Sequence, residues 1–592
     1  MKQMQSLKLL LRCFTPTLYL ILIIIIVGCG EKHITSSSIM YLTGGWDIPP
    51  AYHGNPWAAG GVGELRGFVY EPLFFYIPAS EEFTPRLGLS FKEDTKRNTL
   101  EVTLRSPVWW HNGERFTSED VLTTFYIGYL QGWPIWLSLL KIEATSPDKV
   151  VFYWKSPLST IDKIRALTEY ITSPKSIYYK WAKDTQELFI REKKLSLKEK
   201  NVIAQKIRED LYRFRPPLPV GTGPFKATLV TATDAKLDFF EKHWAKDKIS
   251  IDGVRFIRCT SNEVMWALLM AGEIDASNAA TPRDVAEEIL KSNPNLHLLL
   301  PSDLAEVGIL FNCKKAPFSD IHFRKALAYA LDRNLIKEIS YYFAQTSMNY
   351  SLGVIPSYCN KWLSKSFIKS LQAYPYNVEK AIQTLKEAGY KQNTSGEWLT
   401  SDGKKINIEI SVPAGNSDWV LGAETITSQW GKLGIPTKVR ILQPMLYNML
   451  LREGNFDVIV DFVVDFHRYG HPATAYERLY SKGGTLAIAS GLSSKIKGPS
   501  GEVLDLPVLS LKLFTTNSKE EQRKVVKNLA WVTDNYLPIV PIYEKQLMVY
   551  VLDGKHITGW APKDDPVWSA VSNGIVSVYA ELIVRGRLKG VK

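Results

Sequence analysis

The chain has 592 residues, 45% of them hydrophobic and 22% charged, with a formal net charge of +12. This is a globular composition, and a chain of this length builds roughly two to four domains instead of a single core. The basic surplus is scattered, which excludes a nucleic-acid-binding stripe, and five cysteines with no C-x-x-C pair indicate neither a disulfide framework nor a structural zinc site.

The start of the chain carries export instructions. Lys2, Lys8 and Arg12 precede an apolar run from Leu18 to Val27. As helix that run is about 15 Å long, half of a bilayer core of about 30 Å, so residues 1–28 read as a signal peptide and not as a span. Ile26-Val27-Gly28-Cys29 is similar to the bacterial lipobox, in which the cysteine thiol receives a diacylglycerol and the chain is cut just before it. Cys29 is then the lipidation site and residues 29–37 a polar tether. An ordinary cleaved signal or an uncleaved anchor are the alternatives. No other stretch is apolar for long enough to cross a bilayer.

Beyond the tether, Ser38 to Gly45 reads as a strand, Asp47 to Gly63 as a Gly/Pro/aromatic loop, and Glu64 to Tyr76 as a short helix followed by extended chain. Thr99 to Arg105 alternates with period two, the mark of a half-buried strand. Thr117 and Asp120 form a capping box before a helix from Val121 to Tyr129. Lys149 to Lys155 is a further strand. Trp181 to Arg215 mixes Lys, Arg and Glu on helical spacing, the pattern of a solvated helix face. Arg215 to Pro219 is a stiff, proline-rich linker and a subdomain boundary.

From Gly221 onward strands and helices alternate. Strands are expected at Lys236–Phe240, Gly253–Cys259, Val307–Asn312, Lys405–Val412, Thr437–Ile441 and Phe456–Val463. Helices are expected at Asn262–Ala271, His322–Leu331, Val378–Gly389 and Glu424–Leu433. Alternation without a tandem repeat predicts α/β lobes with mostly parallel sheets. The Pro-broken run Leu537–Tyr543 reads as a connector between lobes.

Several segments, taken in order, resemble the family 5 extracellular solute-binding proteins, receptors of ATP-driven importers of oligopeptides, dipeptides, nickel and some oligosaccharides. Val69 to Leu73 (VYEPL) is similar to the family's YEPL strand. Leu104 to Gly113 with Phe116 to Val121 resembles its LR..V.W.DG..(F/V)TA.DV signature, and Gly221 to Phe225 its GTGPY/F turn. Phe311-Asn312, Pro317-Phe318, Asp320 and the run Arg324 to Arg333 resemble FN....PF.D.R.R.AL..A.DR. Tyr376 to Ala381 and Leu385 to Tyr390 resemble the helix that ends in L.EAGY. Asn112 stands where the family usually has Asp, His322 where Arg or Val is more usual, and residues 181–215 look like a basic insertion.

The resemblance implies a two-lobed, class II, periplasmic-binding-protein-like α/β fold with an extra α/β subdomain in lobe one. Residues 38–72, 221–302 and 541–592 would form lobe one, 73–220 the added subdomain, and 303–540 lobe two. The crossings would lie near Leu300–Ser302 and Pro538–Pro541. It further implies an exported monomer, anchored by lipid to the outer face of a bacterial membrane, that passes ligand to permease subunits driven by cytoplasmic ATPases and has no cofactor of its own.

In peptide-binding members a buried aspartate takes the ligand's amino terminus. Phe462-Val-Val-Asp465 resembles that segment, which carries the role onto Asp465 with Phe462 as an aromatic wall; the alternative is a strand-end cap. Trp46, Trp57, Trp133 and Trp136 fall in Gly/Pro-rich loops and are candidate ligand-stacking rings, lobe core being the alternative for each. Oligopeptide is the first ligand class. Oligosaccharide is the second, because Thr43-Gly-Gly-Trp46 is similar to sugar-binding members. His467 and His471 read as loop histidines without a third metal ligand. With no G-x-S-x-G, Walker or G-x-G-x-x-G motif, a catalytic centre is not indicated; a secreted hydrolase using separated carboxylates is the alternative from another class.

Overall fold

Strand Ile39–Gly44 lies in the middle of a seven-stranded sheet ordered Phe225–Val230, Asp234–Phe239, Gly253–Arg258, Ile39–Gly44, Ala276–Asn278, Val549–Leu552, Leu296–Leu299. A second sheet of six strands is ordered Gln345–Thr346, Ile539–Gln546, Ser302–Phe311, Val458–Asp465, Ile408–Pro413, Thr437–Leu442. The computed structural model describes residues 38–591 apart from Val62, Thr260 and Arg468. The signal peptide, Cys29 and the tether lie outside the described residues.

Each sheet is mixed, which corrects the expectation of mostly parallel sheets. In the first, Ile39–Gly44 runs parallel to Gly253–Arg258 and Ala276–Asn278, while the remaining neighbours are antiparallel. In the second, Ile408–Pro413 is parallel to Thr437–Leu442 and Val458–Asp465, but Ser302–Phe311 is antiparallel to both of its neighbours. The cause is that the strands carrying the chain out of one sheet and back must run in opposite directions.

The chain crosses between the sheets twice. The first crossing, Leu300-Pro301, joins strand Leu296–Leu299 to Ser302–Phe311. The second lies at Leu547-Met548, between Ile539–Gln546 and Val549–Leu552, and not at Pro538–Pro541. Pro541 sits inside the second sheet, opposite Gly308, where the register slips. Proline is tolerated in a strand at such an irregularity. Gly308 lets it approach, since a Cβ there would stand 2.4 Å from the Val540 carbonyl oxygen.

Residues 73–220 carry a four-stranded antiparallel sheet, Gly88–Asp94, Thr99–Leu104, Lys149–Trp154 and Leu139–Ser146. Alternation in Thr99–Leu104 buries Leu100, Val102 and Leu104. Helix Ser118–Leu130 starts at the expected capping box, with the Thr117 amide donating to Asp120 at 2.7 Å. The charged stretch forms two helices, Lys175–Arg191 and Leu197–Arg213, whose buried seam is Tyr178, Trp181, Leu188, Ile207 and Leu211.

Two sequence signatures meet at the root of this region. The Gly221 amide donates to His111 Nδ1 at 3.3 Å, and His111 Nε2 lies 2.9 Å from the Gly223 carbonyl oxygen. Burial pushes the His111 pKa down to about 4, so the imidazole is neutral here. A Cβ on Gly221 would lie 1.8 Å from the Val69 carbonyl oxygen, so only glycine permits this approach. Glu71 of the same segment is fully buried and pairs with Arg86 at 3.1 Å, which in turn reaches Glu581 at 2.9 Å. These residues bind the fold together, not a ligand.

Candidate functional site

In α/β sheets a ligand crevice forms outside the carboxyl ends of parallel strands. The first sheet's parallel trio ends at Gly44, Arg258 and Asn278, around a pocket of about 310 Å³ lined by Thr43, Gly44, Glu64, Cys259, Met265 and Ser277. The second sheet's trio ends at Asp465, Pro413 and Leu442. The loop after Asp465 runs against the first-lobe side: the Arg165 Nε donates to the Tyr469 hydroxyl at 2.7 Å, and Gly470 packs on Pro78. Tyr469 and Gly470 therefore lie where the two halves meet.

Asp465 closes its strand and is three-quarters buried. Its Oδ1 is 2.9 Å from His467 Nδ1, and its Oδ2 accepts from Arg478 at 3.2 Å. Burial alone would raise its pKa, but the His467 hydrogen bond and the His467 and Arg478 charges outweigh it and hold the carboxyl below its ordinary value. His467 also reaches Asp303 at 3.3 Å, on the strand that leaves the first crossing. Burial disfavours the imidazolium, yet the two carboxylates prevail and raise its pKa to about 9. Arg478 spans to Asp461 at 3.2 Å, and Lys545 pairs with Asp418 at 3.2 Å. Four carboxylates thus share three cationic side chains in one cluster.

Phe462 stands in this cluster. Its ring meets Trp419 edge-on at 5.2 Å and His467 at 5.3 Å, with the Lys545 ammonium 5.8 Å from its centroid. The structure therefore brings Phe462 and Asp465 together. Sequence reasoning did not single out Asp303, Asp418, Trp419, Arg478 and Lys545. They come from four separate segments, and nothing local in the sequence marks them as neighbours.

The tryptophans divide. Trp46 follows the end of strand Ile39–Gly44, half-buried, its indole N–H donating to the Thr231 carbonyl at 3.0 Å. Trp57 and Trp133 lie together, with ring centroids 5.6 Å apart and planes at 42°. Trp136 is 7% exposed; it packs on Tyr126, Tyr129 and Phe189, and its N–H is spent on the Phe125 carbonyl at 3.0 Å. The expectation that Trp136 faces ligand is corrected: it belongs to the subdomain core, because helix Ser118–Leu130 supplies its partner.

The two histidines also part company. His471 is buried edge-on against Trp362 at 4.6 Å and accepts from the Ala473 amide at the start of a helix. Among the described residues no group of three His, Cys, Asp or Glu is placed to hold a metal ion. Cys259, Cys313 and Cys359 are unpaired.

The two bodies joined by two short crossings, with polar strand ends at their junction, define a solute-binding receptor of the two-lobed kind. The sequence profile of the bacterial extracellular solute-binding proteins, family 5 middle region, matches residues 82–486, and the chain belongs to that family. It is a family of binding receptors and not of enzymes, which removes the hydrolase alternative. The chain is similar to heme-binding protein A of Haemophilus influenzae, 28% identical over 326 residues that cover 55% of this chain and 54% of that protein. The match thus spans about half of that relative's length.

Among solved structures, the periplasmic oligopeptide-binding protein of an ABC transporter of Thermotoga maritima matches with a TM-score of 0.73 and 23% identity. That match covers 94% of this chain and 99% of that one. A mannohexaose-bound structure of the same protein matches with a TM-score of 0.66 at 23% identity and the same coverage. At this identity the likeness is one of fold.

Proposed function

We propose that this chain captures oligopeptides between its lobes and delivers them to the permease of an ATP-driven importer. Lobe one would comprise residues 38–72, 221–301 and 548–592, with 73–220 as the added subdomain and 302–547 as lobe two. The observation that carries the peptide reading is the charge cluster at Asp465. Its four carboxylates outnumber its three cationic side chains, and a ligand ammonium would complete the balance through charge-assisted bonds. Phe462 and Trp419 supply apolar walls beside it. Ligand would select the arrangement in which the lobes meet, and the membrane subunits would distinguish it from the open one.

The pattern Ile26-Val27-Gly28-Cys29 supports export and attachment by a lipid on Cys29, with the receptor acting as a monomer on the outer face of the membrane. Intact-mass measurement of membrane-extracted protein tests this, and a free Cys29 thiol refutes it. A second reading, oligosaccharide in the same cleft, is favoured by Trp46 at the end of a cleft-forming strand and by the mannohexaose held by a protein of the same fold.

The peptide reading is tested by calorimetric titration of tri- to hexapeptides against wild type and Asp465→Asn. Wild type should bind, and the exchange should weaken binding at least tenfold for peptides with a free amino terminus and leave N-acetylated ones unaffected. Equal affinity of both proteins for free-amine peptides would remove Asp465 from the role.

A further inference from the structure

Helices Lys175–Arg191 and Leu197–Arg213 form a hairpin whose far end is unusually apolar for a surface. Ile190 is 69% exposed, Leu197 75% and Val202 61%. Helix Leu197–Arg213 buries Ile207 and Leu211, both in its second half, so its first half lies on the surface. Leu137, 82% exposed, closes the short turn Pro134–Leu137, and two links hold that turn to the hairpin end. Trp136 packs on Phe189 with ring centroids 5.0 Å apart. Tyr129, edge-on to Trp136, donates to Glu192 in the loop between the two helices. Aliphatic side chains left in water at one end of a motif mark a contact surface.

The same end is basic, and its acids are already engaged. Glu192 accepts from Tyr129 and pairs with Lys200. Glu199 accepts from the Ser196 amide at 2.8 Å and from its hydroxyl at 2.6 Å. Among the described residues, Arg191, Lys193, Lys194 and Lys198 are exposed and have no ion-pair partner. Four unanswered positive charges are thus set among Ile190, Leu197 and Val202. This mixture selects its partner. Protein interfaces are poor in lysine and rich in aromatic residues, whereas here the exposed apolar groups are aliphatic and lysine dominates. Aliphatic side chains ringed by Lys and Arg suit the boundary between headgroups and acyl chains of an anionic bilayer.

We propose that the end of this hairpin, together with Leu137, docks on the headgroup layer of a bilayer that contains anionic lipid. Ile190, Leu197 and Leu137 enter the boundary with the acyl chains, and Arg191, Lys193, Lys194 and Lys198 meet the lipid phosphates. With a lipid on Cys29 alone, the body would swing about residues 29–37; the second contact fixes which face it turns to the membrane. The docking depends on neither that lipid nor the peptide reading.

The test is co-sedimentation of the full mature chain, prepared without lipid, with vesicles of phosphatidylcholine alone or mixed with phosphatidylglycerol. At low salt wild type should bind the anionic vesicles at least tenfold better than the neutral ones. About 1 M salt, where the Debye length falls to about 3 Å, should remove the difference. Lys193→Ser/Lys194→Ser should weaken binding about thirtyfold, at roughly fivefold for each cation. Ile190→Ser/Leu197→Ser should weaken it at least tenfold. Both variants change exposed side chains, so their melting temperatures should match wild type. Lys365→Ser/Lys369→Ser, the same charge change on an exposed helix of lobe two, should bind as wild type does. Failure of wild type to prefer anionic vesicles overturns the proposal and leaves the hairpin end to a protein partner. Binding that either hairpin variant retains, or that the lobe-two variant loses equally, overturns it too. Peptide titrations of the same proteins read the importer-receptor proposal separately, so either can fail alone.

Discussion

Glu306 and Glu544 stand directly opposite each other on neighbouring strands of the second sheet, both buried. Ser347 donates to Glu306, while Ser302 and Ser357 donate to Glu544. Two carboxylates facing one another inside a protein cannot both carry charge cheaply. Burial, reinforced by the Glu544 charge, raises the Glu306 pKa to about 8, against the pull of Arg333.

The folded chain thus keeps a proton that the unfolded chain releases near 4.5. Stability should fall as pH climbs from about 4.5 toward about 8. Glu306→Gln needs no such proton and should be the more stable protein at pH 8.5, by about 2–4 kcal/mol. Thermal melts at pH 5 and 8.5 check this, and identical pH slopes for the two proteins would count against it.

His467 shifts stability with pH in the same direction as Glu306, but by gaining a charge that its partners stabilise. Its pKa is raised from 6.5 to about 9, so the stabilisation it gives is complete below pH 6.5 and is lost as pH rises through about 9. Discounted for its partial exposure, the loss from His467→Gln at pH 6 should be on the order of 1–2 kcal/mol and vanish by pH 10. NMR titration of the imidazole reads the same quantity directly; a midpoint near 6.5 would contradict the Asp303–His467–Asp465 arrangement.

At Gly221 a methyl group would meet the Val69 carbonyl oxygen at 1.8 Å, a backbone contact that no rotamer change relieves. Gly221→Ala should therefore cost about 3 kcal/mol or more. Urea unfolding followed by circular dichroism would measure it, and a loss below about 1 kcal/mol would show that the two signatures need not touch.

Trp136 and Phe462 can be told apart by what their removal spoils. Trp136→Ala leaves a cavity in the subdomain core and should cost about 3–5 kcal/mol of stability, with ligand affinity unchanged in the protein that remains folded. Phe462→Ala, at a half-buried wall, should cost less stability and more affinity. The reverse pattern would return Trp136 to the ligand.

The sequence revealed the elements better than the site. Thr117 and Asp120 mark their helix start, and the period of Leu100, Val102 and Leu104 marks a strand, because capping and alternation are local rules. Strand direction was not legible, since it depends on partners hundreds of residues away: Ser302–Phe311 lies between Val458–Asp465 and Ile539–Gln546. The prolines at 538 and 541 suggested a connector, yet the strand absorbs Pro541 by a bulge facing Gly308, a compensation supplied by another segment. Asp465 and Phe462 were singled out as candidates because they resemble a family segment. Lys545 and Asp418, which meet only in the folded protein, carried no such mark.

At the two crossings the chain has almost no slack. Strand pairing resumes within two residues on either side of each, and the Leu547 amide donates to the Pro301 carbonyl at 2.8 Å, tying one crossing to the other. Two short pins clasped side by side resist sliding and stretching but leave one swivel free, along the line through them. Whatever approach and parting the halves undergo is thereby confined to a single angular coordinate, and a lengthened linker at residue 301 would squander that economy before disturbing either core.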